Sequence, residues 1–227
     1  MNSNRADINL IHGDSLEAMK GMKDNSFDWA IVDPPYGIGE SSKKFASRSK
    51  AFGNGKGPII SADKYTVKNW DNQIPERAYF DELKRVSKNQ IIWGWNYFIS
   101  YLNICPSYIV WDKDNSGDFA DCESAWCSKK GAAKLFKWRW NGMLQQNMKN
   151  KETRIHPTQK PVALYRWILE NYTNEGDNIL DTHLGSGSIA IACHELKRNL
   201  TGYEIDEEYF LAAKKRFKTR IKQQMLF

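Results

Sequence analysis

Four consecutive residues, Asp33, Pro34, Pro35 and Tyr36, have the types needed to hold an amine. The Asp33 carboxylate and the Pro34 carbonyl would be two hydrogen-bond acceptors, fixed rigidly by the consecutive prolines. The exocyclic amine of a nucleic-acid base is a poor nucleophile because its lone pair is delocalised into the ring. Two acceptors for its hydrogens would redirect that lone pair, and Tyr36 would offer a stacking face. Taken alone, the four residues are better explained as a rigid turn that closes a strand.

A second group of residues, at the ends of two predicted strands, has the features of a nucleoside site. Asp181 ends one strand, and Glu204 follows the next strand along the chain. A carboxylate in the position of Glu204 can accept hydrogen bonds from both ribose hydroxyls. Glycines in the intervening turn would let a ligand approach the backbone closely, and this turn contains Gly185, Ser186 and Gly187.

This turn differs from two other nucleotide-binding motifs. It is not the G-x-G-x-x-G of dinucleotide enzymes, and it lacks the lysine of a phosphate-binding P-loop. Asp181 would repel a pyrophosphate but attract a cationic amino-acid group, such as the one that S-adenosylmethionine carries. The alternative is a tight turn with an exposed acid downstream.

The elements that must position both groups are predicted to form one α/β domain over residues 1–227. Hydrophobic periodicity and capping residues predict strands at 8–12, 27–32, 90–93, 107–111, 134–140, 178–181 and 199–203. The same signals predict helices at 16–22, 75–87, 159–172, 188–197 and 207–222, and a short helical piece near 96–102. The alternation of strands and helices predicts a mostly parallel, Rossmann-like sheet with helices on both faces.

The composition argues against a membrane protein and against a zinc-binding framework. The mean hydropathy is −0.65, and no run of about 18 apolar residues occurs. The four cysteines form no C-x-x-C pair, so we predict free thiols and no metal site. We therefore expect a cytoplasmic protein.

Positive charge is concentrated in two segments. Residues 40–58 contain five cations and one acid, and residues 129–154 contain eight cations and one acid. The formal net charge is +6, so the rest of the chain is acidic. This distribution indicates a polyanionic partner. The alternative is that both segments are solvated lysine-rich loops, an explanation that suits one such segment better than two in the same chain.

These motifs resemble those of the amino-group DNA methyltransferases. Asp33-Pro-Pro-Tyr36 matches the catalytic motif of that family, and residues 181–188 resemble its methyl-donor motif. The catalytic motif precedes the donor motif, as in the permuted group called the beta class. The resemblance implies a Rossmann-like methyltransferase fold with a small inserted recognition region, S-adenosylmethionine as the cofactor, and no metal.

Two further segments carry the resemblance. Gly13-Asp14-Ser15 is similar to the segment that follows the first strand, which implies that Asp14 contacts the cofactor adenine with Ser15 beside it. Residues 156–161 resemble the segment that holds the methionine end. The predicted cofactor-binding residues are Asp14, Ser15, His156, Thr158, Lys160, Asp181, His183, Gly185, Ser186, Gly187 and Glu204.

The chain departs from the family at one point in the donor motif. The family commonly has Pro-Phe where this chain has Thr182-His183. The His183 imidazole could occupy the space of that aromatic ring against the adenosine. Alternatively, His183 is a polar turn residue with no cofactor contact.

The resemblance implies double-stranded DNA as the substrate. Residues 113–155 occupy the place of the target-recognition region, and residues 37–72 are predicted to form a mobile DNA-facing loop. The predicted phosphate contacts are Lys43, Lys44, Arg48, Lys134, Lys137, Arg139 and Lys149. The interleaved Phe136, Trp138 and Trp140 would either stack on displaced bases or pack on the core.

The predicted activity is site-specific methylation of the N6 amine of a flipped adenine, in the cytoplasm of a bacterial or phage-infected cell. Alternatives are methylation of the N4 amine of cytosine, and a non-catalytic nucleic-acid-binding protein on the same scaffold. Chemistry on RNA or on a protein glutamine amide fits less well. A homodimer and a cognate restriction endonuclease are further partners that the resemblance raises, and no motif addresses either.

Overall fold

A computed structural model describes residues 6–39, 68, 71–102, 104–115, 120–141 and 144–224. Five parallel strands form one half of its main sheet, in the order β1, β10, β9, β2, β3. Their bounds are β1 Ile8–His12, β2 Phe27–Val32, β3 Ser87–Trp93, β9 Asn178–Asp181 and β10 Asn199–Glu204. Each of these strands begins or ends within three residues of its predicted bounds. The predicted Rossmann-like fold is confirmed.

The other half of the main sheet contains three strands, β4 Ser107–Asp112, β5 Cys122–Cys127 and β6 Lys134–Lys137. Strand β5 lies between β3 and β4 and is antiparallel to both, while β6 is parallel to β4. The sequence did not predict β5. Part of the region expected to be an insertion, residues 113–155, is therefore built into the sheet.

The strand predicted at residues 134–140 is interrupted. It ends at Lys137, and Trp140–Asn141 (β7) pairs with Leu144–Gln145 (β8) in a separate antiparallel ribbon. Phe136 and Trp138 stack on one another with ring centroids 6.0 Å apart, and Phe136 also contacts Trp167. Trp140 is buried. All three aromatics pack on the core, Trp140 within it and Phe136 and Trp138 as half-buried rings against it. Base stacking by Phe136 and Trp138 stays a prediction.

In the part of the chain that the structure describes, five α-helices cover the two faces of the sheet. Their bounds are α1 Ser15–Lys20, α2 Arg77–Val86, α3 Val162–Tyr172, α4 Ser188–Glu195 and α5 Glu207–Gln224. One apolar cluster joins β2 and β3 to residues of α1 and α2, and the other joins the sheet to residues of α3, α4 and α5. Within the described residues, no helix is both long and apolar enough to cross a membrane.

Two of these helices show how the sequence sets their starts. The Asp14 carboxylate accepts hydrogen bonds from the backbone N–H groups of Leu16 and Glu17, at 2.8 and 3.3 Å, and so caps α1. Helix α3 begins only after Pro161, later than predicted, and the Glu152 carboxylate accepts the N–H of Val162 at 3.1 Å.

The direction of chain progression reverses between β2 and β9. From β2 the chain continues through α2 to β3 on one side, and from β9 it continues through α4 to β10 on the other. Ligands of open α/β sheets bind at such a point, beyond the carboxyl ends of the strands. The fold therefore places the ends of β2 and β9 at the expected position of a site.

Candidate active site

Four predicted site residues follow the carboxyl ends of four adjacent parallel strands. Asp14 lies after β1, Asp33 after β2, Asp181 ends β9 and Glu204 ends β10. Adjacent strands are in register, with His12 opposite Glu204 and Gly202 opposite Asp181. Residues far apart in sequence are thus brought to one edge of the sheet.

Asp33 is held by two donors. The Tyr36 hydroxyl donates to Asp33 Oδ1 at 2.5 Å, and the Lys160 ammonium donates to Asp33 Oδ2. The Lys160 side chain is only 3% exposed. Lys160 was predicted to contact the cofactor, but the structure directs its ammonium to the carboxylate of the predicted catalytic motif. Burial raises the pKa of Asp33, while the positive charge of Lys160 acts against this rise.

The Tyr36 ring is fixed by its neighbours on the loop after β3. Tyr97 stacks on it with ring centroids 5.0 Å apart and planes 12° apart, and Phe98 meets it edge-on at 6.1 Å. Gly94 adopts φ +66°, and a Cβ built there would lie 2.1 Å from Tyr36 Cε1. The absence of a side chain at Gly94 therefore makes the room that Tyr36 occupies. A base that stacks on Tyr36 must use the face opposite Tyr97, or replace Tyr97.

Glu123 is a site residue that the sequence analysis missed. It lies on β5, opposite Trp111 of β4, and its Oε2 atom is 3.0 Å from Lys160 Nζ. Lys113 forms an ion pair with Oε1 of the same carboxylate. Burial opposes ionisation of Glu123, but the two lysines outweigh it and hold its pKa at about 2. No signal marked Glu123 because strand β5 itself was not predicted.

Asp181 has the properties expected of a receptor for a cation. It is 3% exposed, and Oδ1 accepts the backbone N–H of His183 at 3.0 Å. Among the described residues, no cationic side chain forms an ion pair with it. Burial raises its pKa to about 8. A ligand with a protonated amine would supply the missing positive charge.

His183 packs in a small polar cluster beside Asp181. Its Nδ1 atom is 2.9 Å from the Thr182 hydroxyl, which is itself 2.6 Å from the hydroxyl of Tyr79. The Tyr79 ring meets the imidazole edge-on at 5.4 Å. Burial lowers the pKa of His183 to about 4, so the ring is neutral near pH 7. A neutral, anchored ring is compatible with the packing role predicted for it.

The turn after β9 is tied to the end of β10. The N–H of Gly185 donates to Glu204 Oε2 at 2.8 Å, and the N–H of Asp206 donates to Oε1 at 3.0 Å. Gly185 and Gly187 adopt φ +51° and +68°, which disfavours other residues there. Each Glu204 oxygen keeps a lone pair with which it can accept a further hydrogen bond.

The remaining predicted cofactor residues line the same edge. His156 contacts the Tyr209 ring at 4.3 Å and the Thr158 hydroxyl at 3.1 Å. Burial, with a contribution from Lys160, lowers the pKa of His156 to about 3. Ser186 and Ser15 are both buried. A contact of these residues with the cofactor stays a prediction.

The residues predicted to contact DNA fall into three groups. Lys43, Lys44 and Arg48 lie outside the described residues, as does most of the loop predicted at 37–72. Lys134 and Lys149 are exposed. Lys137 and Arg139 both form ion pairs with Asp114, and the Lys137–Asp114 distance is 2.8 Å. Phosphate would therefore have to compete with Asp114 for these two cations.

Among the described residues, no group of three or more His, Cys, Asp or Glu side chains is arranged to hold a metal ion. The four cysteines are free thiols, of which Cys127 and Cys193 are buried.

Comparison with known families agrees with this geometry. Residues 48–215 match the model of the N6/N4 methyltransferase family, which is described as DNA methylase. The chain belongs to this DNA methylase family. The match covers the donor motif and β5, and it begins after the catalytic motif.

Curated relatives of this DNA methylase are named as modification enzymes. The Type II methyltransferase M2.DpnII of Streptococcus pneumoniae is 26% identical, over 94% of this chain and 90% of the relative. The Type II methyltransferase M.HpaI of Haemophilus parainfluenzae is 27% identical, over 92% of this chain and 74% of the relative.

Solved structures with the same architecture include M1.HpyAVI in complex with SAM. That chain is 27% identical, with a TM-score of 0.55 over 92% of this chain and 98% of its own length. The cytosine-N4-specific PvuII DNA methyltransferase has a TM-score of 0.60 at 14% identity, over 94% of this chain and 87% of its own. The likeness to the PvuII enzyme concerns the fold alone.

Proposed function

We propose that this DNA methylase transfers a methyl group to the N6 amine of an adenine flipped out of double-stranded DNA. The observation that carries the proposal is the placement of Asp33 and Asp181 on neighbouring strands at the switch point of the sheet. One carboxylate faces the expected position of the base, and the other faces the expected position of the methyl donor.

The methyl donor is S-adenosylmethionine, which supplies an electrophilic methyl group on a sulfonium when it is bound. The donor set fits this molecule, since buried Asp181 has no cationic partner among the described side chains and suits its amine. Glu204 would accept the ribose hydroxyls, and the His183 ring would pack against the adenosine. Asp14 and the segment containing His156 and Thr158 complete the proposed binding residues.

Asp33 and the Pro34 carbonyl hold the base amine in this proposal. Two acceptors draw the amine hydrogens out of the plane of the ring, so that the nitrogen lone pair leaves conjugation and can point at the methyl group. Pro35 keeps the loop rigid, and Tyr36 stacks on the base. These contacts offset the few kcal/mol that flipping a base out of the duplex costs.

The basic residues would bind the phosphate backbone. Lys134 and Lys149 are exposed and available to it, and Lys137 and Arg139 would exchange Asp114 for phosphate. Lys43, Lys44 and Arg48 belong to the same proposal from their sequence alone. We assign target recognition to residues 113–155, whose strand β5 pairs with β3 on the Asp33 side of the sheet.

Asp33→Ala should abolish methyl transfer to DNA and leave cofactor binding largely intact, because Asp33 touches the base and not the donor. Transfer of labelled methyl groups to unmethylated genomic DNA measures the first effect, and calorimetric titration with S-adenosylhomocysteine measures the second. Asp81→Ala, at an exposed position on α2, is the matched control. An active Asp33→Ala protein would contradict the assignment.

Cytosine N4 is the second candidate acceptor, because its amine has the same geometry and the fold is shared with a cytosine-N4-specific enzyme. The Asp at the first position of the catalytic motif favours adenine by resemblance to the family. Digestion of methylated DNA to nucleosides, followed by mass spectrometry, identifies the product. Finding N4-methylcytosine alone would replace adenine by cytosine in the proposal.

The partner proposals extend to a homodimer and a cognate restriction endonuclease. The curated relatives are named Type II methyltransferases, which supports the second of these. Light scattering at several protein concentrations tests the homodimer. Protection of DNA from a nuclease encoded beside the gene tests the endonuclease pairing.

A further inference from the structure

Four charged side chains alternate in sign from the proposed base site outward. They are Asp33, Lys160, Glu123 and Lys113, and each contacts the next. The Lys160 ammonium also lies 5.2 Å from the centre of the Trp93 ring and 5.9 Å from that of Tyr36. Lys160 is thus a buried cation placed directly beside the carboxylate that would hold the reacting amine.

A lone cation in this position would oppose methyl transfer. The base nitrogen gains positive charge as the methyl group arrives, and the donor is itself a sulfonium. Electrostatic interactions are strong in a site shielded from water, so a third positive centre would raise the barrier. The negative charge of Glu123, 3.0 Å from the ammonium, compensates that centre.

Contacts of strand β5 and of Lys113 fix the position of the Glu123 carboxylate. Strand β5 pairs on both sides, with β3 and with β4, so its backbone is fixed within the sheet. Lys113 binds the second oxygen of the Glu123 carboxylate and thereby orients it. The next residue, Ser124, accepts the N–H of Gly94 at 3.0 Å and the indole N–H of Trp95 at 2.9 Å. The same stretch of β5 therefore supports the loop that stacks on Tyr36.

We infer that Glu123 is a positioning residue for methyl transfer: it holds the Lys160 ammonium and balances its charge, so that Asp33 remains a net acceptor for the base amine. Glu123 acts through Lys160 and does not itself contact base or cofactor. This inference rests on the proposed function of Asp33.

Replacing the carboxylate tests the role directly. Glu123→Gln should lower kcat for methyl transfer to unmethylated genomic DNA by about 10- to 100-fold, as expected when a reacting group loses its placement. Affinity for S-adenosylhomocysteine, measured by calorimetry, should not change. Glu175→Gln, an exposed position paired with Lys197, is the matched control and should leave kcat unchanged. A wild-type kcat in Glu123→Gln would overturn the inference.

The pH dependence of kcat gives a second test. If Glu123 had only a structural role, its replacement would not change this pH dependence. Asp33 must be ionised, so activity falls as the pH falls through its pKa. The charge of Glu123 raises that pKa and the charge of Lys160 lowers it, while Asp181 and the Tyr36 hydroxyl face the same carboxylate and stay constant. The acid limb should therefore move to lower pH in Glu123→Gln and to higher pH in Lys160→Met. Unshifted limbs would contradict the inference.

A double variant tests whether Glu123 acts through Lys160. Once Lys160 is absent, Glu123 still pairs with Lys113 but has no cation to hold beside Asp33. The kcat of Lys160→Met/Glu123→Gln, measured above the acid limb, should therefore match that of Lys160→Met within about twofold, the usual limit of additivity errors. Multiplied losses of kcat would mean that Glu123 acts independently and would overturn the inference.

Thermal melting separates loss of function from loss of fold. If Glu123→Gln unfolds, Glu123→Asp takes its place, because it keeps the charge but cannot reach Lys160 as closely. It must then show reduced kcat with unchanged cofactor affinity, and wild-type kcat would overturn the inference. The proposed function fails separately: it fails if wild-type protein transfers no methyl group, or if Asp33→Ala remains active.

Discussion

At the scale of single residues, the lack of a side chain at Gly94 decides where the Tyr36 ring lies. Gly94 follows β3 and turns the chain with φ +66°, and the Tyr36 ring occupies the space where a Cβ would be. The Tyr36 hydroxyl reaches Asp33 only because the ring lies this close to the backbone. The geometry of the proposed catalytic motif therefore depends on a residue about 60 positions away in the sequence.

Gly94→Ala should lower kcat by about 10-fold or more, because a shift of about 1 Å at a reacting group is costly. The new Cβ would lie 2.1 Å from Tyr36 Cε1, and alanine is strained at positive φ. Steady-state methyl transfer to DNA measures the loss. Gly131→Ala is the matched control, since nothing lies within 4 Å of its built Cβ. Equal activity of the two variants would contradict this role of Gly94.

Asp181, a proposed cofactor-binding residue, lowers the stability of the fold at high pH. Its pKa of about 8 is far above the value of about 4 in an unfolded chain. The folded protein therefore binds an extra proton between these values. The resulting stability is fully present below about pH 4 and is lost as the pH rises through about 8.

Asp181→Asn should raise the melting temperature at alkaline pH and have little effect near pH 4. Each kcal/mol recovered corresponds to about 2–4 °C in a protein of this size. The same variant should bind S-adenosylmethionine more weakly, because the amide cannot balance the cationic amine. Calorimetry and melting curves across pH measure both effects, with Asp7→Asn, at an exposed position, as the control. A variant that is no more stable than wild type at high pH would contradict the reasoning.

The two classes of site residue differ in how visible they are in the sequence. Asp33 and Asp181 follow apolar strands directly, so strand prediction alone brings them to one edge of the sheet. Gly94 and Glu123 gain their roles only from contacts between separate strands. Neither the close approach of Tyr36 to Gly94 nor the ion pair of Glu123 with Lys160 has a local sequence signature.

At the scale of elements, the edge formed by β4 and β6 carries a preformed set of ion pairs. Asp114 follows β4, with φ +47°, and binds both Lys137 at the end of β6 and Arg139 beyond it. Both cations are about half exposed. Exposed ion pairs contribute little to stability, so they can open readily when phosphate approaches.

Asp114→Asn should strengthen binding to DNA, because Lys137 and Arg139 would no longer be paired with a carboxylate that phosphate must displace. The affinity for non-specific duplex DNA should rise, and the salt dependence of binding should become steeper. Fluorescence anisotropy at several salt concentrations measures both quantities. Asp121→Asn, at an exposed position directly before β5, is the control. Unchanged affinity in Asp114→Asn would mean that these cations do not meet phosphate.

The parallel elements were predictable and the antiparallel ones were only partly so. Strands β1, β2, β9 and β10 are short apolar runs bounded by turns, which is the pattern of buried parallel strands. Strand β5 begins with exposed Cys122 and the acid Glu123, so its first half shows no apolar run. Its place in the sheet is set by pairing with β3 and β4 rather than by its own composition.

At the scale of the whole molecule, the switch point separates two tasks. The proposed cofactor residues lie on the β9, β10 and β1 side, and the proposed base and DNA residues lie on the β2, β3, β5 and β4 side. The positive charge of the proposed recognition region extends from the second side. This arrangement allows the DNA to approach without crossing the cofactor residues.

Lys134→Gln and Lys149→Gln should each weaken DNA binding without changing sequence preference. Each lost phosphate contact should reduce the slope of log K against log salt by about 1. Lys197→Gln is the control, because Lys197 precedes β10, in the half of the sheet that does not contain β6, and pairs with Glu175. Slopes that match the wild type would remove these two lysines from the contact surface.

The carboxylate of Asp114 also affects how the protein would travel along DNA. If Lys137 and Arg139 bind phosphate as proposed, every encounter with the DNA backbone must first displace this internal competitor from them. Displacement weakens each encounter equally, whatever the sequence, and so shortens the dwell time on non-cognate sites. With a shorter dwell time, the protein spends more of its search time at new positions on the DNA. The few contacts made with a correctly flipped base then decide where the protein stops.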